Sequence, residues 1–94
     1  MKHCKLLVMI PGKPNETVNI RWDSKRAFDD QLEPYLGKCY TEHVYISHEN
    51  RRKDMFVDEN ARLAGKPRNP EAEKFYPGVI FGPAVLFLDY IVWR

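Results

Sequence analysis

The sequence predicts a small α+β fold, an antiparallel or mixed sheet of about five strands with two helices, in the order ββαββαβ. Three observations lead there. Stretches with apolar residues at every second position outnumber stretches with the spacing of three and four that a helix needs. The stretches are separated by turn chemistry such as Pro11-Gly12 and Pro77-Gly78. Finally, 94 residues, 44% hydrophobic and 30% charged, suit one globular core, with residues 1–94 forming a single domain.

Residues 2–10 read as a strand with Cys4, Leu6, Val8 and Ile10 on one face and His3, Lys5, Leu7 and Met9 on the other. Prolines and a glycine at 11–14 turn the chain. Thr17 to Trp22 then alternates, with Val18, Ile20 and Trp22 inward, so the first two strands should form a hairpin. Asp23-Ser24 can cap a helix whose apolar stripe is Ala27, Phe28, Leu32, Tyr35 and Leu36. Pro34 removes an amide hydrogen and crowds the preceding turn, so a kink or end near Glu33 is expected, with Gly37 closing the element.

Cys39 to Ile46 is the third strand, and the polar run Ser47 to Lys53 reads as a solvated loop. Asp54 to Asp58 is the fourth, with Met55 and Val57 opposite Phe56. After a turn at 58–60, Arg62-Leu63-Ala64 suits a short return strand ending at Gly65. In Asn69-Pro70-Glu71 the asparagine can cap, the proline needs no amide hydrogen at the first helical position, and the acids meet the positive end of the helix dipole. The helix should last about two turns, up to Pro77-Gly78. Val79 to Trp93 is apolar on both faces, so it is covered on both sides, by the domain or by a partner. Gly82-Pro83 marks a bulge or an edge position within it.

A net charge of +2 is too mild to argue by itself for nucleic acid, and it speaks against an acidic DNA mimic. The two cysteines, Cys4 and Cys39, fall in predicted strands and read as reduced thiols packed as small apolar groups. The first apolar run is broken by Pro11 and Gly12, unlike a signal peptide, and no run approaches the ~20 residues of a membrane span. The expected location is the cytoplasm.

Four passages between Phe28 and about Leu88 have a further meaning. They are Gln31-Leu32 with Leu36-Gly37-Lys38-Cys39-Tyr40; Phe56-Val57-Asp58-Glu59; Gly65-Lys66-Pro67-Arg68-Asn69-Pro70-Glu71-Ala72; and Val79-Ile80-Phe81-Gly82-Pro83-Ala84-Val85. Together they resemble the family catalogued as domain of unknown function 3846, found in phages and other mobile elements, and the passage from Gly65 is the most specific. Lys38 stands where that family shows a second glycine, and Asn60-Ala61 where it tends to place one; asparagine tolerates positive φ, so the turn survives. The resemblance implies a small phage-type accessory protein, acting in the host cytoplasm if phage-encoded. Family context alone adds an anti-defence role, anti-CRISPR-like or otherwise. It implies no activity and no cofactor.

Two cation groups are candidate anion sites. Arg51, Arg52 and Lys53 could contact phosphates, with Tyr45 or His48 stacking on a base. Lys66 and Arg68 precede a helix start, where free amide hydrogens attract phosphate or carboxylate, although Pro70 and two glutamates oppose this. The plainer reading is a solvated loop and a helix cap. His43, His48, Glu42 and Glu49 have no metal-ligand spacing, and no metal is expected. Cys39 and His43 lie ~13 Å apart along an extended strand, too far for a thiol–base pair.

Asp58 and Glu59 are expected to be solvated turn acids. Asp89 shares a face with Val85, Phe87 and Ile91 and would need a partner if buried. Tyr90, Ile91 and Trp93 either dock into the core or form an interface, through which the chain could pair as a homodimer. No catalytic set assembles, so no enzyme is expected. Two functions remain open: a non-enzymatic binder of a host or defence-system protein, or a binder of a phosphate-bearing ligand, either a signalling nucleotide or nucleic acid.

Overall fold

The computed structural model describes residues 2–23, 25–48 and 51–88, and of Lys2, Phe28, His48, Arg51 and Arg52 the backbone. Its elements are β1 (Lys2–Met9), β2 (Glu16–Trp22), α1 (Phe28–Leu36), β3 (Thr41–His48), β4 (Arg51–Asp58), α2 (Pro70–Glu73) and β5 (Ala84–Phe87). The strands form one sheet in the order β2-β1-β5-β4-β3, and every pairing is antiparallel. The fold class and element order are those the sequence predicts.

β5 occupies the middle of the sheet and all four of its residues are buried, as its two apolar faces require. Gly82, at φ 74°, turns the chain before the strand begins, so Gly82-Pro83 is neither a bulge within the strand nor an edge position. Of the expected strand over 79–93, residues 84–87 form β5, Phe81 makes an isolated bridge to Arg68, and residues 89–94 lie outside the described residues.

On one face α1 lays Leu32 and Leu36 against Cys4, Leu6, Trp22, Phe56, Val85 and Phe87. The ring of Phe87 meets Trp22 at 5.6 Å and Phe56 at 5.4 Å, both edge to face. Full burial of a leucine contributes about 1.5–3 kcal/mol. Two such leucines are enough to carry α1 past Pro34 to Leu36, so it does not end near Glu33: the proline is exposed, it has no N–H to give to the helix, and the leucines on either side of it are buried. Gly37 does end the helix, at φ 82°, its N–H donating to the Glu33 carbonyl at 2.9 Å.

The start of α1 also differs from expectation. Ala27 occupies the cap position without a side-chain bond, and Asp23 does not cap. Asp23 Oδ1 instead accepts from the Lys25 N–H at 2.9 Å, a local turn that competes with capping. Ser24 lies outside the described residues. Buried Gln31 clasps this turn: its Oε1 accepts from the Asp23 N–H at 2.9 Å, and its Nε2 donates to the carbonyls of Asp23 at 2.7 Å and Arg26 at 3.3 Å.

The opposite face gathers Met9, Val44, Ile46, Met55, Val57, Ala84 and Leu86 beneath Ala72 and Ile80. Its cover is the segment 59–83, in which α2 is four residues long and shorter than the expected two turns. Within the segment, two stretches run antiparallel. Asn69 N–H donates to the Ile80 carbonyl and Gly82 N–H to the Pro67 carbonyl, both at 2.7 Å, around a bridge between Arg68 and Phe81. Asn69, only 1% exposed, holds the whole together. Its Oδ1 caps α2 by accepting from the Ala72 N–H at 3.1 Å, and its Nδ2 donates to the carbonyls of Met9 and Gly82 at 2.9 Å each.

Two expectations fail here. Residues 62–64 form no return strand but lie in closed turns: Ala64 N–H donates to the Asn60 carbonyl at 2.9 Å and Gly65 N–H to that of Arg62 at 3.1 Å. Within the run 47–53, expected as a loop, Ser47 and His48 belong to β3 and Arg51 to Lys53 to β4, paired out to His48 and Arg51, and residues 49–50 lie outside the described residues. Polar side chains do not oppose pairing in a hairpin at a solvated sheet edge. β3 begins at Thr41, leaving Cys39 and Tyr40 before it.

Candidate functional site

Asp58 ends β4, and the fold encloses its carboxylate. Lys66 Nζ donates to Oδ2 at 2.8 Å, and the Asn60 N–H donates to Oδ1 at 2.9 Å. Burial pushes this carboxyl up, but the hydrogen bonds from Lys66 and Asn60, the Lys66 charge and the Cys39 thiol outweigh it and hold Asp58 below the usual carboxylate range. The expected solvated turn acid is therefore a buried ion-paired anion; only its neighbour Glu59 is exposed.

Cys39 lies beside Asp58, and its thiol donates to the Leu36 carbonyl at 3.8 Å. Burial, then the Asp58 charge, pushes the thiol pKa up against the pull of Lys66. It is a protonated group at neutral pH and a poor nucleophile. Both cysteines are free thiols, Cys4 in the core and Cys39 half-buried at its margin.

Two clefts flank Asp58. The larger, about 530 Å³, lies toward α1 and is lined by Asp29, Asp30, Lys38, Cys39, Tyr40, Asp58 and Asn60. Asp29 is anchored by Thr41, whose hydroxyl donates to Oδ1 at 2.6 Å. The smaller, about 200 Å³, includes Glu42, Glu59, Arg62, Val79 and Phe81. Among the described residues no group of three or more His, Cys, Asp or Glu side chains could hold a metal ion.

Along β3, His43 Nε2 lies 2.7 Å from Asp54 Oδ1. Its ring stacks on Phe56 with centroids 4.6 Å apart and meets Tyr45 at 4.1 Å. Tyr45 is 58% exposed, and Tyr40, just before the strand, 72%. β3 forms one edge of the sheet, so these tyrosines stand beside a row of backbone groups of the kind a further strand can pair with.

Of the cations singled out in the sequence, Lys53, Lys66 and Arg68 have described side chains, and these three do not converge on one anion site. Lys66 is bound to Asp58, and Arg68 grips Glu73 with two bonds, Nε to Oε2 at 3.1 Å and Nη2 to Oε1 at 2.8 Å. Lys53 Nζ donates to the Leu88 carbonyl at 3.2 Å, five residues or ~17 Å along β4 from Asp58. Tyr45 faces α1 with His43 and Phe56, whereas Lys53 shares the parity of Met55 on the opposite face, so tyrosine and lysine do not converge. The side chains of Arg51, Arg52 and His48 lie outside the described residues, as do Asp89, Tyr90, Ile91 and Trp93 and with them the expected interface. The Asp58–Lys66 pair was missed because eight residues of irregular turn separate its members and no periodicity joins them.

No helix among the described residues is long and apolar enough to cross a membrane. No family model matches the chain, and neither does any curated protein or solved structure.

Proposed function

We propose that this chain is a small non-enzymatic accessory protein of the phage-type family it resembles, and that it acts by docking onto a host or defence-system protein. The observation that carries the reading is the β3 edge with Tyr40 and Tyr45 largely exposed beside it. Aromatic side chains supply large contact area at small entropic cost and are enriched where proteins bind each other. A strand of the partner adds to β3, and the two tyrosines anchor it. The ionisable groups that the fold brings together serve structural pairs, His43 with Asp54, Lys66 with Asp58 and Arg68 with Glu73, which also supports binding over bond-making.

The test is capture from host lysate by the tagged chain, in parallel with a Tyr40→Ala/Tyr45→Ala double variant of unchanged melting temperature. A specific protein recovered by the parent and lost with the variant is the expected result. Recovery of no protein, or of the same protein by both chains, overturns the proposal.

A further inference from the structure

The two clefts beside Asp58 lie where β3 begins and β4 ends, one on each face of the sheet. Thr41 points to the α1 face, since its hydroxyl reaches Asp29 Oδ1 at 2.6 Å, and the larger cleft lies there. Glu42, the next residue, points to the other face and lines the smaller cleft. A strand laid along β3 alternates in the same way, and residues directly opposite each other share a face. Its residue opposite Thr41 therefore faces the larger cleft, and its residue opposite Glu42 faces the smaller.

The charge in these clefts opposes the chain's net +2. Their lining sets Asp29, Asp30, Glu42 and Glu59 against Lys38 and Arg62, while Asp58 and Lys66 cancel, which leaves an excess of two negative charges. Asp30, Glu42 and Glu59 are exposed. Asp29 Oδ1 accepts from Thr41, but a carboxylate has about four lone-pair sites and can accept more. Arg62 lies over the Phe81 ring, 5.8 Å from its centroid. Tyr40, 72% exposed, belongs to the larger cleft, where a ring face attracts a cation. Along the backbone of β4, Arg52 stands six residues or ~20 Å from Asp58, beyond the ~8 Å over which salt screens exposed charges. β5 runs away from this end, from Ala84 opposite Val57 to Phe87 opposite Asp54.

Resting on the docking reading above, we propose that the partner segment pairing with β3 is basic. A lysine or arginine opposite Thr41 enters the larger cleft, between Asp29, Asp30 and the Tyr40 ring. A second basic residue beside it, opposite Glu42, meets Glu42 and Glu59. The larger cleft, about 530 Å³, falls in the range of ~300–1,000 Å³ that takes small ligands, so one long side chain fits. Charges arranged in this way select the partner and fix the register of the added strand. The same carboxylates repel an acidic segment.

The experiment is fluorescence anisotropy with the whole chain and labelled peptides of about ten residues, alternating threonine and valine, with Arg-Arg, Gln-Gln or Glu-Glu at the centre. At about 50 mM salt the Arg-Arg peptide should bind at least about 10-fold more tightly than the Gln-Gln peptide, and the Glu-Glu peptide most weakly. Asp29→Asn/Asp30→Asn should weaken Arg-Arg binding at least about 10-fold and leave Gln-Gln binding within about twofold. Glu16→Gln/Glu33→Gln, which removes equal charge at exposed positions outside both clefts, should leave both within about twofold. Thermal melting checks that each variant folds, and Asp30→Asn alone replaces a double variant that does not. Equal weakening by both double variants overturns the proposal, as does absence of binding by every peptide. So does displacement of the Arg-Arg peptide by an equal concentration of spermidine, which would assign the clefts to a small polycation. A Gln-Gln peptide that binds as well as the Arg-Arg one, and is lost with Tyr40→Ala/Tyr45→Ala, overturns the proposal and leaves the docking reading intact. The docking reading fails separately, when that tyrosine variant still captures the host protein.

Discussion

On the α1 face, Leu32 and Leu36 reach the core from a helix whose apolar spacing the sequence displays. On the opposite face, closure falls to a segment with a single helical turn, held by the amide of Asn69. The first face is closed by area removed from water, which is proportional and forgiving. The second also buries apolar area beneath Ala72 and Ile80, but its cover is fixed in place by directional bonds from one buried side chain, where each partner left alone carries a desolvation cost. A domain this small has both kinds of closure acting on the two sides of the same strands.

The sharpest way to test that contrast is to damage each side once. Leu36→Ala should lower the stability of the whole chain by about 2–5 kcal/mol in urea unfolding, through lost burial and the cavity left behind. Asn69→Ala leaves the carbonyls of Met9 and Gly82 and the N–H of Ala72 without this partner, and should cost about 2–4 kcal/mol. Its signature should also be local: hydrogen exchange at the Asn69 and Gly82 amides should speed up more than in the β1–β2 hairpin. A loss below about 0.5 kcal/mol for Asn69→Ala would break the comparison, since the cover would then not depend on that amide.

Asp58 is the next, smaller lever. Its folded-state pKa is held below the unfolded value of about 3.9, so its contribution is complete well above that pH. The contribution is lost as pH falls through the unfolded value and then the folded one. Lys66 is about one-third exposed, so solvent screens the pair. Asp58→Asn should therefore cost about 1 kcal/mol at pH 7, with the gap from the parent narrowing as pH falls below the unfolded carboxyl pKa. Unfolding curves at pH 7, 4 and 3 that stay parallel would show that the Lys66 pair does not contribute.

Features set by neighbours in sequence were readable in advance. The alternation of Val18, Ile20 and Trp22, the opposition of Phe56 to Met55 and Val57, the Asn69 cap and the Gly37 stop all follow from local geometry, and all were found. Pro34 misled because its penalty is local, whereas the burial of Leu32 and Leu36 that outweighs it is tertiary. The strand ends Ser47–His48 and Arg51–Lys53 were read as loop because pairing between polar, solvated positions leaves no apolar trace. The pairing of Asp58 with Lys66 could not be read at all, because the irregular turn between them leaves no periodicity to join them.

That order has a consequence for how the chain is made. The central slot between β1 and β4 is filled by β5, the strand synthesised after all the others. Until it emerges from the ribosome, two hairpins wait, each showing on β1 or β4, besides its outer edge, a bare inner flank that any stray extended peptide could occupy. Correct assembly therefore requires β5, four residues long, to reach that gap before a competitor does.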